Sequence, residues 1–116
     1  MSTRSRLEAG LRSAMIGRDQ LAVSTLRSLI GAIDNAGAAA LESGTYEVKL
    51  GFGHDVARHE LTESQIALII EAERDDLIAA SEQYRILGED ERAEELARQA
   101  AIAGEYLPDP GLASSP

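Results

Sequence analysis

Residues 18–40, RDQLAVSTLRSLIGAIDNAGAAA, carry an apolar arc too wide for a helix that rests on one neighbour. At about 100° per residue, Leu21, Ala22, Leu26, Leu29, Ile30, Ala32, Ile33 and Ala36 share one side, with Val23 at its edge. Ser24, Arg27, Ser28, Gly31, Asp34 and Asn35 take the other side. A helix packed on a single partner needs a stripe little wider than ~100°. This arc exceeds half the circumference and predicts two or three neighbours, the position of a central bundle helix. Thr25 lies inside the arc, where its hydroxyl can return to the carbonyl four residues back.

The chain on either side supplies the neighbours. Leu7, Leu11, Ala14 and Met15 form a narrow stripe on a first helix over about Thr3 to Ile16, with a capping box expected from Ser5 and Glu8. Gly17 is the expected left-handed stop and Asp19 the next N-cap. So short a link predicts a helical hairpin. The central helix should fade near Asn35-Ala36-Gly37. Residues 37–60 hold four glycines and no sustained helical period, which predicts a mobile insertion.

Leu61-Thr62-Glu63-Ser64-Gln65-Ile66 is the sharpest local signal. Thr62 and Gln65 fit a capping box, and Leu61 can staple onto Ile66. A third helix then reaches about Leu87, with Ile66, Ile69, Ile70, Leu77, Ala80, Tyr84 and Leu87 on one face, and Gly88 ends it. Asp90 opens a fourth helix whose inner face is Ala93, Leu96, Ala97, Ala100, Ala103 and Leu107. Pro108 disfavours helical geometry at Leu107 and closes it. The expectation is an all-α four-helix bundle, made of two helical hairpins joined by a long mobile loop. It would occupy residues 1–108, followed by a disordered tail over 109–116.

Composition limits the chemistry. The chain has 116 residues and no cysteine, so disulfides and thiolate metal sites are excluded. No apolar run approaches the ~20 residues of a membrane span, and no signal-peptide core is visible, so a soluble cytoplasmic protein is expected. The net charge of −9 is uneven: residues 1–36 hold five arginines against three acids, while residues 37–116 hold six bases against seventeen acids. An acidic body repels phosphate backbones. Phosphate contact would fall to Arg4, Arg12 and Arg18 near the first hairpin, with Arg27 beside them.

GLRSAMIGRDQLAVSTLRSLIGAIDNA resembles the opening of the YqeY-like proteins, where a helical hairpin ends in a Thr-Leu-Arg step, here Thr25-Leu26-Arg27. Residues 60–108 resemble the family's second half through Glu73, Tyr84, the Gly88 turn and the closing Glu105-Tyr106-Leu107-Pro108. The resemblance implies a four-helix domain. It also implies kinship with the tRNA-contacting subunit GatB of glutamine-dependent amidotransferases, from which the family inherits "carbon–nitrogen ligase with glutamine as amide donor". The family's second, three-helix domain is not expected in this sequence, which closes on the Leu107-Pro108 step and a short tail. Its two arginines in the third helix are Leu77 and Ile78 here.

Glu73 falls within the apolar face of the third helix, and a buried carboxylate must be paired or protonated. Arg27 is the expected partner, as a buried pair that fixes helix register. Glu71, Asp75, Asp76 and Glu82 read as a solvated face, since no Glu-x-x-His motif accompanies them. His54 and His59 make a poor zinc pair. No nucleophile–base arrangement is visible, and no metal or cofactor is expected. The sequence therefore points to a non-catalytic module. Its partner would be tRNA or the tRNA-amidation and translation apparatus, or else a protein that engages residues 37–60.

Overall fold

The structure is a computed structural model; it describes the backbone of residues 1–42 and 60–108, with side chains up to Ala39 and from Glu60 onward. Four helices account for nearly all of it: α1 (Thr3–Ile16), α2 (Gln20–Glu42), α3 (Glu63–Ile86) and α4 (Asp90–Gly104). Among the described residues the fold is all-α, a four-helix bundle. The expected mobility of 43–59 and 109–116 lies outside the described residues.

Each helix starts and stops for a local reason. Ser2, rather than Ser5, caps α1 by accepting from the Ser5 N–H at 3.1 Å. The turn after α1 also differs from expectation. Gly17 stays right-handed at φ −80°, and Arg18 takes the left-handed conformation at φ 56°. Asp19 caps α2 as predicted, its carboxylate accepting from the Ala22 N–H at 3.1 Å. The Thr62–Gln65 capping box of α3 is complete in both directions. Gly88 has φ 81°, the conformation that a side chain would strain.

α2 does not fade at Gly37 but continues to Glu42. Gly37 is buried, and the Ala38-Ala39-Ala40 run that follows is the best helix former available. One interior glycine, at roughly 1 kcal/mol, is not enough to stop it.

α2 packs against all three other helices, the position its wide arc predicts. Arg4, near the start of α1, pairs with Asp34, late in α2, at 2.8 Å. With a three-residue link at their other ends, the two helices run back along each other. α3 and α4 do the same: Ser81 meets Ala93, and Arg74 lies beside Gly104. The core joins Leu7 and Ala14 of α1, Leu26, Leu29 and Ile33 of α2, Ile66 and Ile70 of α3, and Ala103 of α4. Leu7, Leu29, Ile33 and Ile70 are wholly enclosed, each contributing about 1.5–3 kcal/mol. Thr25 is buried and its hydroxyl donates to the Leu21 carbonyl at 2.8 Å, as expected.

Only the first half of α3 and the end of α4 enter that cluster. Ser81, Ala93, Leu96 and Ala100 are buried but stand apart from it, so the turn end of the α3–α4 pair packs largely on itself. Three residues assigned to inner faces are exposed as a result: Leu87 at 71%, Tyr84 at 37%, and Ala97. The first turn of α4 opposite them, Asp90-Glu91-Arg92, offers only charged side chains. Met15 is likewise exposed, at the α1–α2 turn.

Candidate functional site

The most built part of the surface is an open groove where α1, α3 and the end of α4 meet. Three side chains assemble it. Thr3 donates to one oxygen of Glu63 through its backbone N–H at 3.1 Å and its hydroxyl at 2.7 Å. Arg6 reaches across to the Glu105 carbonyl at 3.1 Å and lies over the Tyr106 ring, 5.2 Å from its centre. Tyr106 in turn drives its phenol against the backbone of Gly10, beside Leu26. The start of α1 is thus tied both to the start of α3 and to the end of α4.

The groove encloses about 850 Å³. Leu68, Leu107 and Pro108 give it an apolar floor; Arg6, Arg74, Glu63 and Glu71 give it charges of both signs. Leu68 is 65% exposed, an apolar side chain held open to solvent. Arg74 bonds Asp75 through two nitrogens at 3.1 and 3.3 Å and lies 3.8 Å from Glu71.

Two titratable groups at the groove are shifted from their ordinary values. The Thr3 hydroxyl, then the Thr3 N–H, hold the Glu63 carboxyl below its ordinary value. A general base near neutral pH needs the opposite shift. Burial pushes the Tyr106 phenol up, reinforced by Glu105 and opposed by Arg6, so it remains protonated. Among the described residues, no three metal-ligating side chains converge.

Arg27 and Glu73 do not form the expected buried pair. Arg27 is exposed and Glu73 half-buried, and no ion pair joins them. The reason is rotational and axial. Arg27 is one step, about 100°, past buried Leu26, and α3 enters the shared core through Ile66 and Ile70, before Glu73 is reached. Of the three arginines assigned to phosphate, Arg4 is bound to Asp34, while Arg12 and Arg18 are exposed. Tyr84 sits under Arg92, whose guanidinium is 5.9 Å from the ring centre. Tyr106 and Leu107 line the groove with Pro108, while Glu105 lends it a carbonyl. His54 and His59 lie outside the described residues.

Arg6 and Glu63 are the site residues that sequence reasoning passed over. Their contacts span 99 and 60 residues of chain, and no local period announces such pairings. The acid in the first turn of α3 was the one available hint, since it suits the helix dipole. Comparison with family models, with curated proteins and with solved structures gave no match.

Proposed function

We propose that this chain is a non-catalytic helical docking module of the YqeY-like kind, engaging a protein partner within the tRNA-amidation or translation apparatus. One observation carries the docking part of this reading. At the α3–α4 turn, Ile86 is 80% and Leu87 71% exposed, side by side. Exposed apolar pairs at one tip mark interaction sites more often than scattered single residues do. Glu82, Glu89, Asp90 and Glu91 flank them in sequence against Arg85 and Arg92, so the tip is acidic on balance. The socket that fits is apolar with a basic rim, which is a protein surface rather than a phosphate backbone.

A second reading rests on Arg12 and Arg18, exposed at the α1–α2 turn; it is contact with tRNA phosphates. The charge balance supports it less, because residues 60–108 hold thirteen acids against four arginines. The two readings separate cleanly in one experiment. Partner proteins co-purify with the chain and are lost in Ile86→Glu/Leu87→Glu, while Arg12→Glu/Arg18→Glu retains them. A gel shift with bulk tRNA at low salt that disappears in Arg12→Glu/Arg18→Glu, with no partner lost on the apolar change, would favour the nucleic-acid reading instead.

A further inference from the structure

The solvent side of α3 carries Glu71, Arg74, Ile78, Glu82 and Arg85, spaced in steps of three, four, four and three residues. At about 100° per residue all five lie within ~40° of the direction of Ile78. The spacing is a palindrome about Ile78, and the charges invert across it. An acid stands seven residues before Ile78 and a base seven after; a base stands four before and an acid four after. A two-fold rotation through Ile78 lays each charge of one helix on its opposite in a second helix.

The surface is shaped to receive that second helix. Ile78 is 41% exposed, Glu71, Glu82 and Arg85 are exposed, and Arg74 is half-buried. The groove beside Leu68 continues into a second hollow of about 380 Å³ along this side, and the two share Arg74 and Gly104. The α4 wall of the second hollow is made of Ala97, Ala100, Ala101 and Gly104. Small side chains set a short interaxial distance. From Glu71 to Arg85 the stripe is ~21 Å long at 1.5 Å per residue.

We propose that α3 forms the contact of a two-fold symmetric, antiparallel homodimer centred on Ile78. Ile78 meets Ile78 of the second copy on the axis. Arg74 meets Glu82 of the second copy, and Glu71 meets its Arg85, each pair occurring twice. Such an interface is isologous and closes at two subunits. Arg74 exchanges its present contacts with Asp75 and Glu71 for another exposed one, so the charges add little strength. They fix direction and register, while Ile78 and the alanine wall supply the apolar burial. The stripe runs up to the Ile86-Leu87 tip through Glu82 and Arg85 but does not use that apolar pair, so Ile78→Glu tests the dimer and Ile86→Glu/Leu87→Glu tests the docking reading.

The test uses the full chain in sedimentation equilibrium over a concentration series, with circular dichroism to confirm folding. The mass should rise toward twice that of one chain. Ile78→Glu should hold it at one. Arg74→Glu should weaken the dimer roughly tenfold, because it turns two attractions into two repulsions. Arg74→Glu combined with Glu82→Arg should restore it, since the swapped charges still meet across the axis. The chain has no cysteine, so Ile78→Cys gives a direct readout: oxidation should cross-link it across the axis, and Ala79→Cys, a step round the helix, should not. A chain that stays monomeric throughout, an Ile78→Glu variant that still dimerises, a charge swap that fails to rescue, or equal cross-linking at both positions would each overturn the proposal.

Discussion

The phenol oxygen of Tyr106 occupies the space that a Cβ on Gly10 would fill, and the ring carbon bearing it would lie 3.3 Å from that Cβ. Gly10 is an interior residue of α1, where alanine normally stabilises by roughly 0.5–1 kcal/mol. Here the gain is reversed. Gly10→Ala must push the ring out from under Arg6, and a net loss of about 1 kcal/mol is expected for such overpacking. Gly31 of α2 is the control, with nothing within 4 Å of its added Cβ; Gly31→Ala should stabilise by ~0.5–1 kcal/mol. Urea unfolding of both variants decides the matter. In a Tyr106→Phe background the penalty at Gly10 should shrink.

Ser81 is buried and donates its hydroxyl to the Ala93 carbonyl at 2.7 Å. It is a polar tie between α3 and α4, set among alanines. Ser81→Ala should lower stability by about 1 kcal/mol, the usual net value of one hydrogen bond. Ser81→Val should cost more, through overpacking of ~1–3 kcal/mol. Thermal unfolding that leaves Ser81→Ala unchanged would show the bond to be dispensable.

The Thr3–Glu63 contact is pH-dependent with a definite sign. The folded Glu63 carboxyl lies below its ordinary value because Thr3 bonds the ionised form. The unfolded chain therefore takes up the proton first as pH falls. The stabilisation is complete above the ordinary carboxylate value and fades as pH drops through the lowered folded one. Glu63 is almost fully solvated, so the effect on global stability is small. Carboxyl-carbon NMR should show Glu63 titrating below the ordinary glutamate value. Glu63→Gln should loosen the start of α1, read as faster amide exchange at Thr3.

Arg27 and Glu73 are not partners, and a double-mutant cycle should say so. Alanine at both sites should give a coupling energy within the ~0.3–0.5 kcal/mol scatter of independent positions. A larger coupling would mean the two side chains meet in solution.

Much of the architecture was legible because it is written locally. Thr62 and Gln65, Asp19 and Gly88 each act within one turn of chain, and the arc of α2 records how many neighbours it has. The errors arise where local signals compete or where contacts are distant. Ser2 and Ser5 both suit an N-cap, and Ser2 holds the position because the helix begins at Thr3. Gly17 is the more permissive residue, yet Arg18 takes the positive φ. Glu73 does fall on the inner side of its helix, but a wheel does not tell how far along α3 the shared core extends. The Arg6–Glu105 and Thr3–Glu63 contacts depend on the whole bundle closing, and no window of sequence contains both partners.

Ser81, Ala93, Leu96 and Ala100 are buried apart from the main cluster, and the expected consequence is two units of unequal stability. Small side chains bury little area, so the turn end of the α3–α4 pair gains less from packing than the end shared with Leu29 and Ile33. It should open by sub-global unfolding well below the free energy of the whole, giving a lower plateau of amide protection around Leu77–Ala97 than around Ile66–Ile70. The tip carrying Ile86 and Leu87 would then belong to the part of the protein that reorganises most cheaply on meeting a partner.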